Sequence, residues 1–405
     1  MRYNASICHT IQDTQKRTPM TIKRFAISSI CSVALLYATN GDLMISKSIR
    51  GMGMGGAEIA AGTGVASTLA NPALITTIEH RELSGSATLF LPTIKSRAPG
   101  TVYHESAADT FLIPSFAYGA KIDDHLYIGA GMWGVAGMGV DFKDAPIGSG
   151  LMKMRTNLML MNAAAPAAWK TGSLSIGIAP VLQVGMLDIE MERRALLGGT
   201  VRSHPFEKEL DANIGAAIGF TYAFDNGFKI GGVYKTPISM RYDNSEGGSD
   251  LKLQQPAEYG IGISCKTGPH TFALDYKRIE WSSADGYDRF GWRDQNILAA
   301  GYQYAIEEWE LRVGYNHGRS PIDTSRLQKW QNYLNLLGFP ATSVEHYTAG
   351  FTKKLGNGYT LDAAVVYSPT ENESGLIYEG VIPGNINISN KHGEFSLSMQ
   401  LNYKF

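Results

Sequence analysis

The sequence predicts an all-β fold, a transmembrane antiparallel β-barrel of about 14 strands with an N-terminal hatch (a plug) in its lumen. Three observations carry this: the pattern of the last strand, the order of short and long connections, and a glycine-rich apolar stretch ahead of the first strand.

The final residues alternate without a break. Phe395, Leu397, Met399, Leu401, Tyr403 and Phe405 share one face of a strand, while Ser396, Ser398, Gln400, Asn402 and Lys404 share the other. Outer-membrane barrels end this way, apolar face to lipid and polar face to the lumen. Composition agrees. Charged residues are 18% of the chain, below the level of about a quarter usual in soluble domains. A formal net charge of −1 favours neither nucleic acid nor a polybasic membrane contact. Past the leader no apolar run reaches the ~20 residues of a transmembrane helix, so a membrane-embedded chain must cross as strands.

Lys23 and Arg24, an apolar run over 25–37 and small or polar residues at 38–41 read as a secretory signal, expected over 1–40. Starting at Met20 gives a leader of more ordinary length. Cys8 and Cys31 fall in or before it, leaving Cys265 alone in the mature chain. An intramolecular disulfide is then impossible, and a lone Cys is no metal site.

The barrel is expected over 82–405. Its strands read as 82–92, 110–120, 124–136, 156–169, 173–189, 210–224, 228–242, 255–265, 270–281, 294–304, 309–318, 345–354, 359–368 and 394–405. Short turns at 121–123, 170–172, 225–227, 266–269, 305–308 and 356–358 alternate with long connections. Asn226-Gly227 and Asn357-Gly358 suit the left-handed angles of tight hairpins. Short turns at one end and long loops at the other match periplasmic and external rims. In 228–242 the apolar face is Phe228, Ile230, Tyr234, Ile238, Met240 and Tyr242, opposite Lys229, Lys235, Ser239 and Arg241. A charge facing lipid at the midplane costs ~2–4 kcal/mol, so Lys235 and Asp362 are expected to face the lumen. Runs 124–136 and 156–169 alternate poorly, implying either an apolar lumen there or an interrupted strand.

Residues 41–81 are the expected hatch. Gly51, Gly53 and Gly56 match G-x-G-x-x-G, but no strand precedes them and no βαβ unit surrounds them, so no dinucleotide cofactor is expected. Met52, Met54, Ile59, Val65, Leu69, Leu74 and Ile75 are too apolar for a solvated linker. Glycines permit close backbone packing against a wall. Gly51, Gly53, Gly55, Gly56, Asn71 and Pro72 are therefore the expected hatch and ligand-contact residues.

This opening, followed by Asn71-Pro72-Ala73-Leu74-Ile75-Thr76, resembles the N-terminal hatch of the FadL/TodX-type outer-membrane transporters of long-chain fatty acids and hydrocarbons. Ile279-Glu280-Trp281-Ser282, the run from Tyr315 to Pro321, Phe339-Pro340, the run from Glu345 to Gly350 and the last strand are also similar, in family order. The resemblance implies a fourteen-stranded barrel with a hatch, in the outer membrane. It also implies passive, diffusion-driven uptake of hydrophobic molecules. The loops, 319–344 above all, do not match closely, so no substrate is carried over.

Such ligands need an apolar route. Each methylene gains ~0.8 kcal/mol on leaving water, so a sixteen-methylene tail would lose roughly 13 kcal/mol crossing a wet pore. Leu327, Trp330, Leu334 and Leu337 recur at helical spacing in an outer loop and form a candidate apolar landing site, unless they pack on the rim. Lys235 and Arg241 are candidate carboxylate partners, unless acidic wall residues such as Asp275 pair with them. Expected partners are a hydrophobic small molecule and outer-membrane lipid, with the chain acting as a monomer. The alternative is a surface adhesin or structural barrel binding through its long loops. An enzyme is not expected: the nine histidines are scattered, and no catalytic or metal-ligand spacing stands out.

Overall fold

The computed structural model describes residues 39–145, 153–194, 200–378 and 385–405. The expected signal sequence up to residue 38, the choice of Met20 and both leader cysteines lie outside the described residues.

Fourteen wall strands follow one another among the described residues. They are β1 (Arg81–Arg97), β2 (Phe111–Lys121), β3 (Leu126–Asp141), β4 (Met154–Ala164, resumed as Ala167–Thr171), β5 (Leu174–Arg194), β6 (Thr200–Ala223) and β7 (Phe228–Lys235). Then come β8 (Glu258–Thr267), β9 (His270–Ile279), β10 (Gln295–Ile306), β11 (Trp309–Gly318), β12 (Glu345–Gly356), β13 (Tyr359–Tyr378) and β14 (Ile386–Lys404). Each pairs antiparallel with the next. β14 returns to β1, from Lys404 opposite Glu82 to Ser389 opposite Arg97. Closure pairs the last strand's backbone, which would otherwise be an exposed edge in hydrocarbon.

The alternation of that strand is realised in the wall. Leu397, Met399, Leu401 and Phe405 are exposed on the outside, whereas Ser396, Ser398, Gln400 and Asn402 are buried inside. Stacked aromatics mark the short-turn rim: Tyr359 lies 4.4 Å from Tyr403, which lies 5.0 Å from Phe405. Nearer the other rim Tyr347 lies 5.5 Å from Tyr367. Residues 359–367 thus run between two aromatic girdles, a length that suits the 9 to 11 or so residues of a membrane-crossing strand.

Two expectations need correction, and one of the alternatives left open for 156–169 is realised. The run 228–242 is not one strand: after Thr236-Pro237 the chain leaves the wall, and Ile238–Tyr242 pairs with Leu251–Gln255 in a separate two-stranded sheet. Proline cannot donate to a ladder. Across that break the faces exchange, so Phe228 and Ile230 are exposed while Ile238, Met240 and Tyr242 are buried. The expected strand 156–169 is interrupted at Ala165-Pro166 for the same reason. Finally, the long connections 190–209 and 369–393 are largely strand, because β5 with β6 and β13 with β14 keep pairing beyond the expected ends.

Residues 39–80 pack against the inner faces of the wall. Thr39–Asn40 and Leu43–Met44 form a small hairpin, α1 spans Ile49–Gly53, and 3-10 turns span Val65–Leu69 and Pro72–Thr77. Ile49, Met52, Ile59, Val65, Leu69, Leu74 and Ile75 are all buried.

Candidate functional site: an apolar cavity reaching through the wall

The N-terminal segment is fixed by contacts a side chain would spoil. A Cβ on Gly314 would fall 2.2 Å from the Gly55 nitrogen, and one on Gly55, whose φ is +67°, would fall 2.6 Å from Tyr315 backbone. Polar contacts set the rest. The Asp275 Oδ2 atom accepts from the Glu58 and Ile59 N–H groups, each at 2.8 Å. Arg50 meets Asp362 at 3.0 Å. Asn71 caps the Pro72–Thr77 turn by accepting from the Ala73 N–H, while its amide donates to the Ile59 and Phe220 carbonyls at 2.9 and 3.1 Å.

Elsewhere this segment takes over part of the wall. β2 and β3 pair only from Ser115 opposite Trp133 to Lys121 opposite Tyr127. Above that, Pro114 has no N–H to offer β3, and β3 bulges between Gly134 and Ala136. The freed stretch of β3 turns to the inner hairpin instead: Leu43 pairs with Ala136, and the Gly137 N–H donates to the Asp42 carbonyl at 3.0 Å. The wall is joined again farther out, where the Ala107 N–H reaches the Asp141 carbonyl at 2.9 Å. Between these points β2 and β3 are not hydrogen-bonded to each other.

A cavity of about 600 Å³ occupies the break. Its lining includes Ile94, Ile113, Met138, Leu158, Leu160 and Met186, and also Leu112, Met132, Met159 and Leu210, which are exposed on the outer surface. Thr39, Asp42, His392 and Glu394 add polar groups to that lining. Asp42 Oδ2 accepts from Gln255 at 2.9 Å and from the Tyr287 hydroxyl, and burial pushes its carboxyl up to about 6 against those bonds. Among the described residues, neither lysine nor arginine lines the cavity.

The structure separates the residues expected to act together. Gly51, Gly53, Gly55, Gly56, Asn71 and Pro72 are buried in the segment's contacts with the wall and do not line the cavity. Lys235 faces inward but lies 3.1 Å from Glu258, not from Asp275. Arg241, expected in the lumen, is exposed and pairs with Asp250 because the exchanged faces of its hairpin turn it outward. In the outer loop, α2 is short (Lys329–Tyr333) and continues as a wider turn over Leu334–Gly338. Leu337 is buried on the rim with Ile94, Val140 and Phe142, and Leu327 and Leu334 are partly buried; Trp330 is 48% exposed. Sequence reasoning missed Asp42, Ile113, His392 and Glu394, although the poor alternation of 124–136 and 156–169 pointed at two walls of the cavity.

A closed outer-membrane barrel with an apolar cavity reaching its lipid face is the architecture of a transport channel for hydrophobic compounds. The chain belongs to the outer membrane protein transport protein family (OMPP1/FadL/TodX), whose model matches residues 30–405. It is a transport protein of the outer membrane, not an enzyme. Its fold is similar to a Pseudomonas aeruginosa FadL homologue at 13% identity, covering 90% of this chain and 100% of that one with a TM-score of 0.71. The Pseudomonas putida toluene transporter TodX is similar at 15% identity, 91% and 99% coverage and a TM-score of 0.68. For the Ralstonia pickettii toluene transporter TbuX the figures are 16%, 91% and 99%, and 0.64. No curated protein matches the sequence.

Proposed function

We propose that the protein carries hydrophobic molecules, hydrocarbons or fatty acids, passively across the outer membrane, releasing them sideways into the bilayer through the break between β2 and β3. The supporting observation is the continuity of one apolar cavity from Asp42 and Met44 inside to Leu112 and Leu210 outside. A ligand leaving by this route never enters water, so it keeps the ~0.8 kcal/mol per methylene that an aqueous exit would forfeit. The segment 51–72, the hatch of this reading, closes the lumen below, and the hairpin at 39–44 shifts as the ligand passes. The concentration difference drives the movement.

A reversible staple tests the route. A Cβ on Gly134 would lie 3.6 Å from the Ile113 Cβ, within the usual separation of about 3.5–4.5 Å for a disulfide. Ile113→Cys with Gly134→Cys, in a Cys265→Ser background, is expected to block toluene and oleate uptake when oxidised and restore it when reduced. Equal uptake in both states would exclude the lateral route.

A further inference from the structure

Strand pairing gathers three cations on the outward face of the wall, near its long-loop rim. β1 and β14 pair without a register shift, so the odd-numbered residues of both share one face. Ile94, Ser96, Asn390 and His392 lie on the other, buried face, where the Asn390 amide donates to Ser96 Oγ at 3.0 Å. The outward ladder therefore sets Leu89 opposite Leu397, Leu91 opposite Phe395, Lys95 opposite Lys391 and Arg97 opposite Ser389. Phe395 also pairs with Tyr367, which belongs to the outer aromatic girdle. Four residues beyond Phe395, Lys95 and Lys391 stand about 13 Å farther along strands tilted by about 40°, hence about 10 Å above the girdle. The lipid head-group layer is about 5–8 Å deep, within reach of their long side chains.

This arrangement suits an anion. Like charges directly opposite in a ladder repel. Among the described residues, Glu105, 2.9 Å from Lys95, is the one carboxylate paired with any of the three. The other two cations meet over a single ring: the Arg97 guanidinium carbon lies 4.5 Å and Lys391 Nζ 4.6 Å from the centre of Tyr103. A ring face gathers positive charge without consuming a hydrogen-bond donor. Arg97 is exposed, and Lys391 and Tyr103 are half-buried. By contrast, the outward-facing Arg278 on β9 is matched by Asp294 at 2.6 Å and Glu280 at 3.6 Å. A phosphate brings the negative charge and the acceptor oxygens that lysine and arginine donors take. The apolar strip of Leu91, Phe395, Leu89 and Leu397 directly below favours a phosphate that carries acyl chains over a free one.

We infer that Lys95, Arg97 and Lys391 bind the phosphorylated head group of an outer-leaflet lipid, with Tyr103 positioning two of the cations. The lipid's chains lie along the apolar strip below. This site faces the membrane and is separate from the cavity between β2 and β3.

Diphosphoryl lipid A and its dephosphorylated form are the probes, added to the full-length protein in non-ionic detergent and read by native mass spectrometry. The phosphorylated form is expected to bind, and the dephosphorylated form to bind at least tenfold more weakly; this comparison needs no variant. Arg97→Gln with Lys391→Gln should weaken lipid A at least tenfold, while Arg278→Gln should leave it within twofold. Toluene binding should be unchanged in the double variant, since neither residue lines the cavity. Retained heat-modifiable gel mobility of each variant shows that the barrel is intact. Equal binding of the two lipid forms, wild-type affinity in the double variant, or an equal loss in Arg278→Gln would overturn the inference. Displacement of lipid A by an equal concentration of inorganic phosphate would mark a free-anion site and overturn it as well.

Discussion

Leu43 stands beside Ala136 in the sheet, in the place that β2 would hold had its pairing with β3 continued. An inner segment thus completes a ladder that the wall leaves open, and the same substitution creates the cavity's route to lipid.

That pairing is a weak point by construction, since one residue pair and the Gly137 bond hold it. Leu43→Pro should bend the hairpin away from β3 and raise uptake of a small hydrocarbon such as toluene two- to fivefold, with barrel stability unchanged. Initial uptake rates, normalised to the amount of protein in the outer membrane, check this. An unchanged rate would show that the hairpin is not the moving part.

Asn71 ties the segment together through Ile59 and Ala73 and to the wall through the Phe220 carbonyl. Asn71→Ala leaves the Ile59 and Phe220 carbonyls without their amide donor, at a cost of about 1–3 kcal/mol. Residues 51–72 should become cleavable by protease in the detergent-extracted protein, and single-channel conductance should appear. Wild-type ligand affinity and transport in this variant would remove Asn71 and Pro72 from the mechanism.

Gly55→Ala attacks the same lock through shape. It forces a left-handed φ on alanine and drives a Cβ into Tyr315 backbone; the conformation alone costs about 1–3 kcal/mol. Its effect should resemble that of Asn71→Ala. Gly100→Ala, where φ is also positive but nothing lies within 4 Å of the added atom, should show the strain without the leak.

The Arg50–Asp362 pair is a third hold. Removing one partner of a buried pair costs roughly 3–5 kcal/mol, discounted here because the Arg50 side chain is 18% exposed. Asp362→Ala should loosen the segment, and Arg50→Met with Asp362→Leu should restore much of its protease resistance. A double variant as sensitive as Asp362→Ala would assign the effect to Thr352, Gln400 and Asn402, which also bond Asp362.

The outer-loop residues divide by burial. Leu337→Ala removes a buried rim contact and should cost about 2–5 kcal/mol, seen as a lower melting temperature. Trp330→Ala should leave melting unchanged but halve uptake at low ligand concentration if the exposed indole collects ligand. Unchanged uptake would assign α2 to the rim alone.

Periodicity read the wall well, because lipid outside and polar contacts inside impose a two-residue repeat on every crossing strand. Leu397 and Ser398, or Asp362, could be placed from the sequence alone. Pro166 and Pro237 were visible as letters, but what each interruption did depended on the strand available to pair beyond it. Arg241 was misplaced for that reason: a face assignment fails once its strand leaves the wall. Lys235 was placed correctly, but its partner, Glu258, sits on the adjacent strand at a register no local pattern contains.

The sequence by itself determined the membrane, the number of crossings, the end that carries the loops and the presence of a packed glycine-rich segment. Each follows from local constraints: alternation, turn chemistry and apolar content. Tertiary structure alone decided that β2 and β3 part company, that Leu43 fills the vacated ladder, and that Asp42 and His392 line one apolar cavity. Those outcomes depend on which backbone groups find partners after closure, and residues from opposite ends of the chain meet only then.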